Sequence, residues 1–140
     1  MSGPTLTIDE SPSPDDIGFV AQAMRRHALA QINGAESPPL ACFLRENGVI
    51  VGGIVSRVIQ HRMIVDLLWV EETRRNRGLG SSLLQFMERV AHDRGCRDVL
   101  LETLSTSAAR LYSAAGYRQL AQVPDYIAGF TKRVLLKPLA

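Results

Sequence analysis

The chain reads as an α+β domain built on a mixed, mostly antiparallel sheet of six to seven strands flanked by helices. Two observations carry this reading. Three strand-like runs succeed one another with short turns between them: Leu40 to Arg45, Val49 to Ile59 and Met63 to Val70. The third run then enters a glycine loop, an amphipathic stretch from Ser81 to Arg94 and another apolar run, Val99 to Leu104. Successive runs joined by tight turns make an antiparallel meander, whereas strand–helix–strand adds one parallel crossover.

Leu6-Thr7-Ile8 suits a short first strand. Ser13-Pro14-Asp15-Asp16 is a helix start, with a capping serine, proline at the first helical position and acids in the first turn. Ile17, Val20, Met24, Ala28 and Ile32 recur at helical spacing, and that helix should end near Asn33-Gly34, before a loop from Ala35 to Pro39. Asn47-Gly48 is a strong hairpin turn. Gly52-Gly53 interrupts the second strand, where glycine permits a bulge or close approach of another group. His61-Arg62 makes the next turn. Met63 to Val70 is apolar except at Asp66, which predicts a strand buried on both faces in the middle of the sheet. The next helix puts Leu83, Leu84, Met87, Val90 and Ala91 on one face and stops at Gly95. After Val99 to Leu104 come a short helix from about Ser107 to Ala115, capped by Gly116, and strands Tyr117 to Val123 and Thr131 to Leu136 around a loop, Pro124 to Phe130.

Bulk properties narrow the function. With 140 residues the chain forms one domain, residues 1–140, able to bury about two thirds of its unfolded surface. No apolar run approaches the ~20 residues of a membrane span, and the start does not read as a secretory signal, so a cytoplasmic location is expected, with no membrane partner. Cys42 and Cys96 are far apart and have no Cys or His at metal-ligand spacing, so no metal is expected. Cys42 reads as a small core residue, and Cys96, at a helix end, as a partly exposed one. A net charge of +2 with dispersed arginines does not point to nucleic acid. His27, His61 and His92 are scattered and read as surface residues, as does Arg25-Arg26 on a helical face.

The most informative segment is Arg75-Asn76-Arg77-Gly78-Leu79-Gly80. A glycine loop between strand and helix aims free backbone N–H groups at one spot, at the positive end of the helix dipole, where a diphosphate can sit. Gly78 and Gly80 let an anion approach the backbone, and Arg75 and Arg77 add charge. The segment lacks the lysine and Ser/Thr of a P-loop and has two of the three glycines of a dinucleotide fingerprint.

This loop resembles the Arg/Gln-x-x-Gly-x-Gly/Ala signature of the Gcn5-related N-acetyltransferase (GNAT) family. Leu67-Leu68-Trp69-Val70-Glu71-Glu72 leads into it, Leu83-Leu84 comes after it, and Ala108 through Leu111-Tyr112 to Gly116-Tyr117 is similar to the family's Ala-x-x-Leu-Tyr-x-x-x-Gly-Phe/Tyr element. The similarity covers roughly residues 40–136. It implies the acyl-CoA N-acyltransferase fold and direct transfer of acetyl from acetyl-CoA to an amine, from a small molecule or peptide, in a ternary complex. A non-catalytic acyl-CoA-binding module of the same fold and a nucleotide-binding regulatory protein are the alternatives.

By the same resemblance, the pyrophosphate would lie on the backbone from Arg77 through Gly78, Leu79, Gly80 and Ser81 to Ser82, and the backbone of Leu68, Trp69 and Val70 would hold the pantetheine arm and thioester where a bulge opens the sheet. Tyr112 falls on the family's tyrosine position, from which it would protonate the leaving thiolate; a tyrosine pKa of about 10 suits that task. Ala108 belongs to the same element. Ser105 stands where many members carry an asparagine that contacts pantetheine. The base is open between Asp66, which shares the face of Leu68 if pairing stays regular, Glu102 on the neighbouring strand, Glu71 or Glu72, and water. A buried Asp66–arginine pair is the structural alternative. The first helical region is short by family standards, which implies an open acceptor cleft that a second copy in a homodimer could complete.

Overall fold

The computed structural model describes residues 3–32, 34 and 37–140. They fall into two compact units, one ending at Glu36 and one running from Ser37 to Ala140. In the first, helix α1 spans Pro14–Gln31. Its start is the expected one, because the Ser13 hydroxyl accepts a hydrogen bond from the Asp16 N–H at 3.1 Å and Pro14 occupies the first turn. Ile32 is its C-terminal cap, close to the expected end; Asn33, Ala35 and Glu36 lie outside the described residues. The expected strand at Leu6–Ile8 does not form: residues 3–10 carry no strand. A three-residue segment offers too few ladder bonds to hold a strand by itself.

The second unit is a sheet of six strands in the order β1-β2-β3-β4-β6-β5. These are β1 Leu40–Glu46, β2 Val49–Ile59, β3 Arg62–Val70, β4 Asp98–Thr103, β5 Arg118–Ile127 and β6 Phe130–Pro138, with α2 (Leu79–Asp93) between β3 and β4 and α3 (Thr106–Ala114) between β4 and β5. The meander and the single parallel crossover are as expected: β3 and β4 are parallel and every other pairing is antiparallel. Asn47 and Gly48, with φ of 50° and 79°, form a turn with both central residues left-handed, which matches the strand twist. Between β2 and β3 the turn falls on Gln60-His61 rather than His61-Arg62, with Gln60 at φ 52°. Arg62 instead opens β3, where its guanidinium forks onto both carboxylate oxygens of Asp98 at 2.8 and 3.0 Å. Arg62 and Asp98 are also the first register pair of the parallel ladder, so this fork fixes where the crossover returns.

One face of the sheet makes the core with α2. Leu83, Leu84, Met87 and Ala91 are buried against Ile54, Met63, Val99, Leu101 and Leu135, with Val90 packed alongside. Gly95, at φ 82°, ends the helix as its position predicts. Cys96 proves buried rather than partly exposed, because the chain turns inward after that glycine, and burial raises its thiol pKa. Cys42 packs at the edge of the same core.

Two expectations about strands need correction. β3 lies in the middle of the sheet, but only Met63 is buried on it, and Leu67 and Trp69 are exposed. The loop expected from Pro124 to Phe130 is mostly strand: β5 continues to Ile127 and turns into β6 through Ala128-Gly129. Proline is tolerated there because β5 is an edge strand, and the pairing shifts register between Val123 and Ile127, where Asp125 takes φ 49°.

The buried Tyr117 ties three elements together. Its hydroxyl donates to Glu88 on α2 at 2.7 Å, and Lys137 on β6 donates to the other carboxylate oxygen at 3.0 Å. Burial first, then the bond to Glu88, pushes the phenol pKa far above its ordinary value. The unfolded chain ionises tyrosine near pH ~10 while folded Tyr117 stays neutral, so its contribution is complete below that pH and is lost as pH rises above it. Tyr117→Phe should cost about 1–2 kcal/mol near neutrality and flatten the fall in melting temperature above pH ~10. An unchanged alkaline slope in a series of thermal melts would contradict this assignment.

Candidate active site

The glycine loop carries the chain from β3 into α2. Gly78 caps α2 with φ 75°, after Asn76 at φ 63°, and these left-handed residues turn the chain from the strand into the helix. Among the described residues no backbone hydrogen bond is donated by residues 77–81. The first helical bond runs from the Ser82 N–H to the Gly78 carbonyl at 3.0 Å, and the Ser82 hydroxyl donates to the same oxygen. Ser82 is therefore spent on the helix start, and the free cradle is Gly78 to Ser81.

Gly80 is informative because the protein itself does not require it. Its φ is not left-handed, and a Cβ built there would meet nothing nearer than Val70 Cγ2 at 3.9 Å. The surrounding protein would therefore admit a Cβ at this position at ordinary contact distance. Arg77 makes no hydrogen bond among the described residues and is exposed, whereas the Arg75 guanidinium donates through Nε to the Val70 carbonyl at 2.9 Å. Arg75 thus pins the loop to the end of β3. A second anchor is Arg74, whose guanidinium holds Glu46 on β1 and Glu71 at the loop entrance. Glu71 is tied up there, which removes it from the candidates for a free base.

The sheet opens beside this loop. β3 pairs with β4 over only Arg62, Met63 and Ile64, so beyond Ile64 the β4-facing edge of β3 has no strand partner among the described residues. At the same place the β2–β3 register slips: Val55 faces Leu67 and Ser56 faces Val65, which leaves Asp66 as the extra residue of a β-bulge. This bulge lies earlier along the strand than expected. It shifts the alternation, so Met63, Val65, Leu68 and Val70 all turn toward the core. Asp66 therefore does not share the face of Leu68, since regular pairing was the condition for that expectation. The unpaired edge from Val65 to Val70 can bond an extended, amide-bearing arm as a neighbouring strand would.

The opening is a cleft of about 450 Å³ lined by Asp66 and Arg57 on one wall and by Glu102, Thr103, Tyr126 and Lys132 on the other. Arg57 Nε donates to both oxygens of Asp66 at 3.1 and 2.9 Å, and Lys132 Nζ lies 2.8 Å from Glu102 Oε2 and 4.5 Å from the centre of the Tyr126 ring. The Asp66–Arg57 pair exists but is half exposed, not buried. Asp66 and Glu102 thus meet in one cleft. Tyr112 is on α3, partly buried against the core with its ring 5.9 Å from that of Tyr117. Its hydroxyl makes no hydrogen bond among the described residues and yet is not enclosed. Burial of the ring raises its pKa. Ser105 caps α3: its hydroxyl accepts from the Ala108 N–H at 3.1 Å and contacts Ser107 Oγ at 3.0 Å. The helix accordingly starts at Thr106, a residue before the expected position. Among the described residues no cluster of three or more His, Cys, Asp or Glu is placed to hold a metal ion.

Sequence reasoning does not single out Arg57, Lys132 or Arg74. Arg57 has one visible signal, the one charged residue of a largely apolar strand next to the strand that carries Asp66, but the bulge conceals their pairing from a residue count.

The six-stranded mixed sheet flanked by three helices has the acyl-CoA N-acyltransferase fold. Comparison with known proteins identifies the family. Residues 7–117 match the Acetyltransferase (GNAT) family, and the chain belongs to it. Blasticidin-S acetyltransferase from Streptomyces morookaense is 35% identical over 142 residues, covering 99% of both chains. In structure, an acetyltransferase from Bacillus cereus superposes with a TM-score of 0.76 at 25% identity over 95% of this chain and 98% of that one. A crystal structure from Agrobacterium tumefaciens gives 0.87 at 22% identity over 96% and 99%. The protein is an acetyl-CoA-dependent N-acetyltransferase, in a family whose members use acetyl-CoA as co-substrate and amines as acceptors.

Gly80→Val isolates the cradle from the fold. Because an added Cβ meets only Val70 Cγ2, at 3.9 Å, within the first turn of α2, the melting temperature should change little, while acetyl-CoA affinity should drop about 10-fold or more if the diphosphate lies on this backbone. Calorimetric titration with acetyl-CoA, beside a thermal melt, reads both; unchanged affinity would place the pyrophosphate elsewhere.

Proposed function

We propose that the chain transfers acetyl directly to a small-molecule amine held in the cleft between β3 and β4, without a covalent acetyl-enzyme. The observation that carries this reading is the coincidence, at Asp66, of the bulge and the end of β3–β4 pairing, one short strand segment from the free N–H groups at Gly78 to Ser81. Acetyl-CoA, when bound, supplies the activated acetyl thioester.

The chain's own residues supply the rest. Backbone N–H groups of Gly78 to Ser81, with Arg77 beside them, hold the diphosphate. The unpaired edge at Leu68 to Val70 aligns the arm and offers hydrogen bonds to the thioester oxygen as it gains charge. Trp69, whose side chain is exposed, would contribute its backbone to the same edge, and Ala108 with the α3 start would border the arm. Asp66 and Glu102, open to solvent in the cleft, hold the amine and accept its proton directly or through water. Tyr112 donates its hydroxyl proton to the departing sulfur; its raised pKa keeps that proton in place across the neutral and mildly alkaline range.

The kinship with an enzyme named for blasticidin S supports a small-molecule acceptor and makes blasticidin S the first amine to try. The test is acetyl-CoA-dependent thiol release across a panel of amines that includes it. Tyr112→Phe keeps the ring packing and removes the hydroxyl, so kcat should fall by roughly 10²-fold or more with little change in acetyl-CoA affinity. A parent-like kcat would leave Tyr112 a packing residue, and absence of thiol release with every amine would remove the proposed reaction.

A further inference from the structure

The charges lining the cleft are balanced and only partly used. Arg57 with Asp66 lines one wall and Lys132 with Glu102 the other, two cations and two carboxylates in all. Each pair is open to solvent, with side-chain exposures of 48% and 36% for Arg57 and Asp66 and 27% and 53% for Lys132 and Glu102. Ion pairs this exposed contribute little and rearrange at small cost.

The geometry of the contacts leaves particular groups free. Among the described residues Arg57 bonds through Nε alone, to Asp66, so the N–H groups of its two terminal nitrogens remain available there in the planar fork that matches a carboxylate. On the other wall Lys132 binds Glu102 through Oε2, which leaves Oε1 able to accept from an ammonium. A simple cation would use the free oxygen of Glu102 but leave the terminal nitrogens of Arg57 without an anion. An anionic acceptor would face both carboxylates. A molecule carrying one charge of each sign meets a complementary free group on each wall.

We infer that the acceptor is zwitterionic, an amine that also bears a carboxylate, with the carboxylate held by the terminal nitrogens of Arg57 and the amine presented to Glu102 and Asp66. This rests on the acetyl transfer proposed above and adds the charge class of its substrate. Arg57 is then the specificity-determining residue: it selects for the acid group without touching the reacting atoms.

The experiment compares matched acceptors. Thiol release from acetyl-CoA is measured with amino acids and short ω-amino acids, with the same compounds as carboxamides, and with putrescine and spermidine. The free acids should exceed their amides in kcat/KM by about 10-fold or more, mostly through KM. In Arg57→Gln that acid-over-amide ratio should collapse to within about 2-fold, and Arg57→Lys, which keeps charge but loses the fork, should fall between. Lys132→Gln provides a second variant, with thermal melts confirming that each protein is folded. Preference for amides or polyamines, or an acid preference that survives Arg57→Gln, overturns the inference while leaving acetyl transfer intact. No thiol release with any of these amines or with blasticidin S overturns the transfer itself.

Discussion

The single constraint on which the site depends is the place where β3 stops being an ordinary strand. Up to Ile64 it is paired on both sides, and the Arg62–Asp98 fork holds the parallel ladder in register. At Asp66 one extra residue enters against β2, and from there the β4 side is open. A bulge adds local twist and bends the strand, so the two halves of the sheet diverge without breaking the core beneath them. That core stays continuous because the bulge restores inward alternation: Val65 precedes it, Leu68 and Val70 come after it, and all three pack toward α2. The opening thus forms on one face and edge while the hydrophobic face remains whole.

The connection from β3 to α2 depends on the same segment. The strand ends at Val70, whose carbonyl is held by Arg75, and the turn from Glu72 to Arg74 is clamped by Arg74 to Glu46 and Glu71. These exposed contacts are individually modest, but they act on a short connection between two rigid elements. Their effect is to deliver Gly78 in its left-handed conformation to the start of α2, with the helix anchored by Leu83, Leu84 and Met87 directly behind it. A free helix N-terminus is thereby fixed near an unpaired strand edge, one suited to phosphate and the other to amide groups.

Much of this is legible in the sequence because it arises from local chemistry. Ser13-Pro14, Asn47-Gly48, Gly95 and the apolar face of α2 each have one strongly favoured conformation, and each is found where residue type alone puts it. The glycine loop is legible for the same reason, although the backbone at Gly80 does not itself require glycine. Features that depend on pairing between strands are not. The bulge at Asp66 has no glycine or proline to mark it, so counting by twos along Met63 to Val70 assigns Asp66 to the wrong face. Pro124 suggests a loop because proline disrupts central strands, yet an edge strand accommodates it. The bulge conceals the Arg57–Asp66 pairing, the partner of Glu102 comes from the distant strand β6, and the cleft charge balance emerges only when β2, β3, β4 and β6 are assembled.

The central claim is that the opened edge of β3 and the N-terminus of α2 together form one binding surface for acetyl-CoA. Amide hydrogen exchange with and without saturating acetyl-CoA tests it most directly, because free N–H groups exchange fast until a ligand or strand protects them. Segments 65–70 and 77–81 should slow together on addition of acetyl-CoA, while the β5 edge exchanges as before. Protection confined to one of the two segments, or acetyl-CoA binding that leaves both unchanged, would contradict the account.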